Sequence, residues 1–502
     1  MSGGWKGHLA EQWPQLLALG VFAVALWAQH DGLVGVFFDD GVYVVLAKAL
    51  AEGHGYANIH LPDAPAGVHF PPLYPMALSV LWRAWPDFPA NVALFQLFDA
   101  AALAGAAWII AAHARRHGVA AGGAYVALPL GILAFPLLTI VSMRFSEPLF
   151  LLLAAGAVSL ADRRDETVTV ALAAGLLAGL ATLTRSVGVA VIGGVAIGVF
   201  LRGGGRKALA AAAAAVAVVA PWILWTVAHR SGIDEPIVAN YGTYLQDLGQ
   251  TGLGGLIMGA DLGVLSPVMR LALPPVPDAV RWPLAVAVLG TVMGGGALVA
   301  RRVPALTATL CLYLVIVALW PFTPDRFVWI ILPWLALLLA EGLSWAWRRS
   351  RTWRAVAVVL LLALTVGYVR VQAISLGSRG FAASALGISA PFTVLTRSIE
   401  AELPADAVVA SADEALVFLY TGRRAVPSFL FRWAGREHEP LPLDRTVDYF
   451  CDSGVTHIAL TGRGEDAAGV VASLRARPDA DLSPMYEFSG PAMYRFRGGC
   501  QP

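Results

Sequence analysis

Phe38-Asp39-Asp40-Gly41-Val42-Tyr43 places two adjacent carboxylates directly after a run, from Trp13 to Gln29, that is apolar enough to enter a bilayer. Charge at that depth is costly and persists mainly where function needs it. The pair therefore reads as the entrance of a site, and the sequence around it as the scaffold that holds it.

That scaffold is membrane-embedded. Of 502 residues 58% are hydrophobic and 14% charged, whereas a soluble domain carries about 25% charged residues. A net charge of +1 leaves no basic footprint for nucleic acid, so the information lies in where Lys and Arg fall. Apolar runs long enough for a membrane helix lie near 13–30, 92–112, 120–141, 146–161, 168–184, 187–201, 208–228, 282–300, 304–320, 327–347 and 354–372, about eleven transmembrane helices. The runs at 146–161 and 187–201 are short and suit tilted or re-entrant helices. No small-residue cleavage site follows the first run, so it reads as a retained helix.

If the N-terminus is cytoplasmic, the inner connections hold Lys6, Arg115-Arg116, Arg163-Arg164, Arg202, Arg206-Lys207, Arg301-Arg302 and Arg348, Arg349, Arg351 and Arg354. The outer connections hold single basic residues spread over much longer stretches. This asymmetry follows the positive-inside rule and puts Asp39, Asp40 and the C-terminal region on the extracytoplasmic face of the cell inner (plasma) membrane.

Two outer loops are long, about 31–91 and 230–281, and long loops in compact proteins usually carry function. Within the first, Val42, Val45, Leu46, Ala49 and Leu50 recur at helical spacing, which predicts a short helix over 41–51 on the membrane surface, ended by Gly53 and Gly55. A second helix is expected from Pro71-Pro72 to about Trp85, with Leu73, Met76, Ala77, Val80 and Leu81 on one face. Residues 1–373 then form the transmembrane domain. Residues 374–502 have ordinary soluble composition and read as a small α/β domain. Its expected strands are Ala407–Ser411 and Thr456–Leu460, its helices 412–421 and 442–452, and its final hairpin 485–488 with 493–496 turns at Gly490-Pro491. Cys451 and Cys500 share that region and suit a disulfide in an oxidising compartment.

Aspartate readily caps a helix, which accounts for one of the two carboxylates. The second points to a general base, a carboxylate that takes a proton from an attacking hydroxyl or amine. Arg144, Arg185 and Arg326 each interrupt or border an apolar run at an outer helix end, and a guanidinium holds phosphate through paired hydrogen bonds. The plainer explanations are snorkelling and an ion pair such as Arg326 with Asp325. Glu147 starts its span, where capping competes with a role holding a cation or the acceptor. His54, His60 and His69 share the first loop with Asp63, yet match no tight metal-ligand spacing. Tyr43 and Tyr56 suit interfacial anchors. Gly203-Gly204-Gly205 lacks the strand, spacing and hydroxyl of a P-loop.

Asp39-Asp40 with Tyr43, followed about thirty residues later by Phe70-Pro71-Pro72-Leu73-Tyr74-Pro75, resembles the first outer loop of membrane glycosyltransferases with the GT-C fold, in particular bacterial relatives of protein O-mannosyltransferases and of the lipid A aminoarabinose transferase. The resemblance implies a polyprenyl-phosphate sugar donor, membrane lipid as partner, and a loop carboxylate as base. That role falls on Asp39, with Asp40 where many relatives have glutamate. Relatives carry a lysine before the double proline. This chain has Phe70 there, preceded by His69, so phosphate contact falls to His69 or the arginines. Some members use a divalent cation and others do not, which leaves the cofactor open, and oligomeric state is not indicated.

The expectation is an inverting glycosyltransferase acting on an extracytoplasmic lipid, glycan or protein acceptor. The rivals are a transporter or flippase for a lipid or glycan, and a catalytically silent lipid-binding relative. No internal repeat supports the first rival.

Overall fold

The structure is a computed structural model that describes residues 3–165, 167–244, 246, 249, 266–319, 324–434, 437–460, 465–475, 482–487 and 492–497. The chain divides into two compact units. The first comprises Met1–Gln29, Gln96–Pro221 and Ala260–Ala382; the second comprises His30–Phe95, Trp222–Gly259 and Ala383–Pro502.

The first unit is helical, and it makes the protein a multi-pass membrane protein. Five helical stretches among the described residues, each wholly or mostly within this unit, are long and apolar enough to cross a bilayer: Val92–His117, Ser186–Gly203, Gly205–Gly232, Asp278–Val299 and Arg351–Gly377. The expected span over 120–141 is broken into Ala121–Ile132 and Phe135–Ser142, bent by 47°. Pro136 sits in the first turn of the second piece, where its missing N–H costs nothing. Counting that pair as one span gives six. The expected spans over 146–161, 168–184 and 304–320 are the shorter apolar helices Glu147–Ala161, Val168–Thr184 and Pro304–Leu319. At a rise of about 1.5 Å per residue such helices fall short of a hydrocarbon core about 30 Å thick unless neighbours cover their ends. The expected span over 327–347 likewise divides, into Asp325–Ile330 and Leu332–Arg349. By length and composition the described residues therefore establish five or six spans.

Small residues set how closely these helices approach. Gly194 and Gly198 lie one turn apart on Val189–Gly203, and a Cβ on either would collide with Thr309 or Ala305 of Pro304–Leu319. Gly175 and Gly179 face Ala211 and Ala215 of Gly205–His229 in the same way. Lipid offers apolar surface as good as leucine, so helices in a bilayer associate through close van der Waals packing, which small residues at this spacing permit. The core beneath is correspondingly rich in alanine and valine, among them Ala107, Ala111, Ala154, Ala178, Val191 and Val195.

The second unit gathers the first long loop, the opening part of the second and the C-terminal region. Helix Asp39–Glu52 is buried continuously from Asp40 to Ala47, which places it inside the unit and corrects the expectation of a helix laid on the membrane surface. Helix Leu73–Ala84 buries Tyr74, Leu78 and Trp82 and leaves Met76 and Val80 exposed. Its apolar face looks outward, as an interfacial helix requires.

Toward the C-terminus, β1 (Val408–Ser411), β2 (Arg424–Pro427), β5 (His457–Leu460), β6 (Leu482–Glu487) and β7 (Ala492–Phe496) form one sheet in the order β2-β1-β5-β7-β6. The separate strands β3 (Phe431–Ala434) and β4 (Glu437–Pro440) pair antiparallel. β1 runs parallel to β2 and β5, with helices Glu414–Thr421 and Leu443–Asp452 in the crossovers. β6 and β7 make the expected antiparallel hairpin, while its turn at Gly490-Pro491 lies outside the described residues. Cys451 is disulfide-bonded; Cys500 lies outside the described residues. Helix Gly380–Glu402 was not foreseen, because its apolar positions are too diluted by polar ones to read as a span.

Candidate functional site

The second unit brings the two sequence motifs together. Phe38 and Tyr43 of the first lie against Phe70 of the second at 6.3 and 4.8 Å between ring centroids, and Tyr43 meets Tyr74 edge-on at 5.1 Å. Tyr43 and Tyr56 are buried rather than interfacial, and the Tyr56 hydroxyl donates to the Phe70 carbonyl at 2.8 Å. Burial pushes that hydroxyl's pKa well up.

The adjacent carboxylates separate into two environments. Asp40 is fully buried, and its oxygens accept from the amides of Gly35 at 2.6 Å and Phe37 at 3.0 Å. It thereby closes the loop that precedes its helix. Gly35, at φ 97°, allows this turn, and a Cβ there would strike Leu416. Asp39 is partly exposed, at the first residue of its helix. Before it stands Phe38 at φ 63°, a left-handed conformation unfavourable for a side chain of this size. Strain of this kind persists where surrounding packing over-determines it, and it tends to mark sites.

His69 packs against Phe70 and Tyr244, and its Nδ1 lies 2.7 Å from the Gly242 carbonyl. A carbonyl only accepts, so Nδ1 carries the proton and the neutral ring has a bare Nε2. Burial lowers the His69 pKa, opposed by that hydrogen bond and by the charge of Asp39.

A second group in this unit was not foreseen. His60 Nε2 lies 2.8 Å from the Tyr241 hydroxyl, which in turn donates to Glu414 Oε1. All three are at most 1% exposed. Burial raises the Glu414 pKa to about 7 and lowers that of His60 to about 3. The neighbouring Asp413 is pushed well above the carboxylate range by burial, then by Glu414 and Asp40. Of the four first-loop groups considered for a metal, His54 is exposed beside Glu52 and His60 belongs to this relay. Among the described residues, no three His, Cys, Asp or Glu side chains come together to hold a metal ion.

The arginines lie in the first unit. Glu147 is fully buried at the start of helix Glu147–Ala161, and its Oε1 receives Arg326 Nε at 2.8 Å and Arg185 at 3.0 Å. Arg326 stacks on Phe145 at 3.7 Å and Arg185 on Phe327 at 5.0 Å, so each guanidinium is oriented by a carboxylate and an aromatic face. Arg185 also donates to the Ser146 hydroxyl at 3.2 Å. Arg326 thus pairs with Glu147, while Asp325 is taken by Arg270. Arg144 is 1% exposed, donates to the Ser142 carbonyl at 3.2 Å, and sits at φ 54° in the short connection before Glu147.

The same unit contains an apolar cavity of about 840 Å³ whose walls include Leu130, Val288, Val328, Leu339, Leu364 and Tyr368. Val328 is two residues beyond Arg326.

Neither a family model nor a curated protein matches the chain by sequence. Solved structures do match by shape. ArnT from Cupriavidus metallidurans bound to undecaprenyl phosphate superposes with a TM-score of 0.58 at 14% identity, over 99% of this chain and 98% of that one. Its apo state gives 0.57 at 15%, over 97% and 98%. The oligosaccharyltransferase AglB from Archaeoglobus fulgidus, in complex with an inhibitory peptide and a dolichol-phosphate, gives 0.51 at 10%, over 98% of this chain and 75% of that one. From end to end, the chain has the GT-C fold of these integral-membrane glycosyltransferases.

Proposed function

We propose that the chain is an inverting glycosyltransferase that moves a sugar from a polyprenyl-phosphate donor to an extracytoplasmic acceptor. The observation that carries this reading is the likeness over nearly the full length of both chains to ArnT bound to undecaprenyl phosphate. Asp39, exposed enough to meet a substrate and set beside a strained residue, is the general base. It takes the proton of the acceptor nucleophile as that atom attacks the anomeric carbon. The bond to phosphate breaks with its electron pair on the leaving oxygen, and a single displacement inverts the configuration. Asp40, committed to backbone amides, shapes the loop that presents Asp39.

Arg144, Arg185 and Arg326 stabilise the charge that develops on the departing polyprenyl phosphate. Glu147 orients two of them, a role that replaces capping. The apolar cavity suits an isoprenoid chain. His69, with its Nδ1 proton given to Gly242, donates to phosphate only when doubly protonated, so its contribution depends on pH. In this reading the N-terminus is cytoplasmic and residues 374–502 are extracytoplasmic in the inner membrane, where a disulfide at Cys451 is chemically at home.

The test is sugar transfer from a synthetic polyprenyl-phosphate donor by the purified full-length protein in detergent. Asp39→Asn should lower turnover by about 10²–10⁴-fold, the usual contribution of a positioned base, with unchanged elution and circular dichroism. A folded Asp39→Asn protein that transfers at the wild-type rate would sink the assignment.

A further inference from the structure

One end of the first unit carries a polar cluster that the proposed chemistry does not use. Helix Val92–His117 finishes with His113 and His117 one turn apart, 4% and 8% exposed, their rings 4.8 Å from each other. Two buried carboxylates lie close by, and both are committed. Asp162 accepts from the amides of Ala305 at 2.9 Å and Leu306 at 3.2 Å, capping helix Pro304–Leu319, with His113 at 3.5 Å and Arg202 at 3.8 Å. Glu341 accepts from Arg302 at 2.5 Å and from the Ala120 amide at 2.6 Å.

Positive charge exceeds them. Arg116, Arg164, Arg202 and Arg302 all act electrostatically on His117. With Arg163 and its partner Asp165, which also acts on Arg116, five guanidiniums stand against three carboxylates near a buried imidazole, and among the described residues the Nε2 of that imidazole has no hydrogen-bond partner. A buried polar atom of this kind calls for a ligand or water. Arg116 and Arg164 are exposed, while Arg202 and Arg302 are partly buried. Phe200 and Leu201, 58% and 65% exposed, precede Arg202 and offer apolar surface directly beside the charge. Anion chemistry next to exposed apolar side chains at the end of membrane helices matches a lipid better than a free ion.

We propose that this cluster binds the phosphate of an anionic glycerophospholipid, with His117 Nε2–H and the arginines donating to the phosphate oxygens and the acyl chains lying along Phe200 and Leu201. The basic connections Arg115-Arg116, Arg163-Arg164 and Arg301-Arg302 belong to the cytoplasmic side in the sequence reading, where anionic lipid is the expected neighbour.

The experiment uses full-length protein in detergent and follows its melting temperature and native mass spectrum with phosphatidylglycerol, phosphatidylcholine or sodium phosphate at equal phosphorus. Phosphatidylglycerol alone should raise the melting temperature and remain bound in the spectrum. Arg116→Gln with Arg164→Gln, both at exposed positions, should weaken that binding by at least about tenfold, at roughly 1 kcal/mol for each arginine near a lipid anion. His117→Phe should also abolish the shift; if that variant does not fold, the arginine pair decides. An equal response to phosphatidylcholine, an undiminished response in the arginine variant, or the same shift from sodium phosphate would each overturn the lipid site.

Discussion

Glu147 shows how one buried residue governs several others. It gathers Arg185 and Arg326 on a single carboxylate, and removing one partner of a buried pair leaves uncompensated charge, at a cost of about 3–5 kcal/mol. Glu147→Gln should therefore lower the melting temperature clearly as well as activity. Arg326→Lys keeps the charge but loses the planar fork, so it should raise KM for the lipid donor and reduce kcat while leaving the melting temperature near wild type. Steady-state kinetics beside thermal unfolding separates the two effects. His60 and Glu414 give a pH signature. Glu414, raised to about 7, contributes stability that is present below about pH 4.5 and is lost as pH rises through 7. His60, lowered to about 3, contributes stability that is present above about pH 6.5 and is lost as pH falls toward 3. Between those limits the two slopes oppose each other, each at most about 1.4 kcal/mol per pH unit. Glu414→Gln should expose the His60 slope, so that stability falls from pH 6.5 to 5. His60→Gln should do the reverse, and denaturant titration across that range reads both signs.

At the scale of elements, helix positions were legible where an apolar run stood between charges. Helices lie on each of the expected runs, and β1, β5 and the final hairpin appear where short apolar or alternating stretches were read as strands. What the runs concealed was their interruption. The bend within 121–142 follows from Leu133 and Ala134 leaving the helix ahead of Pro136, which costs a run of hydropathy nothing. Nor does hydropathy reveal contact distance. Gly194→Val should drive a side chain into the Thr309 backbone and destabilise the helix pair, by about 1–3 kcal/mol for overpacking of this kind. Gly20, inside helix Gly3–Trp27 with open space around it, should accept alanine without loss of stability. Detergent-solubilised melting curves of the two variants compare a tight contact with an empty one.

For the whole molecule, the positive-inside pattern predicts a testable orientation. Alkaline phosphatase fused in the Arg163-Arg164 connection should be inactive, and fused after Glu402 it should be active; the opposite pattern would reverse the topology and move Asp39 to the wrong side for an extracytoplasmic acceptor. The sequence by itself determined the membrane class, because the number and length of apolar runs are one-dimensional properties that the bilayer reads directly. It also singled out the Asp39-Asp40 pair and the Phe70–Pro75 motif, since charge and proline in such surroundings stand out without any partner. Only the tertiary structure decided that Asp40 serves the backbone while Asp39 stays partly exposed, that Arg185 and Arg326 share Glu147, and that His60, Tyr241 and Glu414 form one buried relay across 181 and 173 residues of chain. The reason is physical: periodicity records which side of an element is buried, whereas the pairing of buried charges depends on how close the elements come and at what register, and no local spacing encodes that.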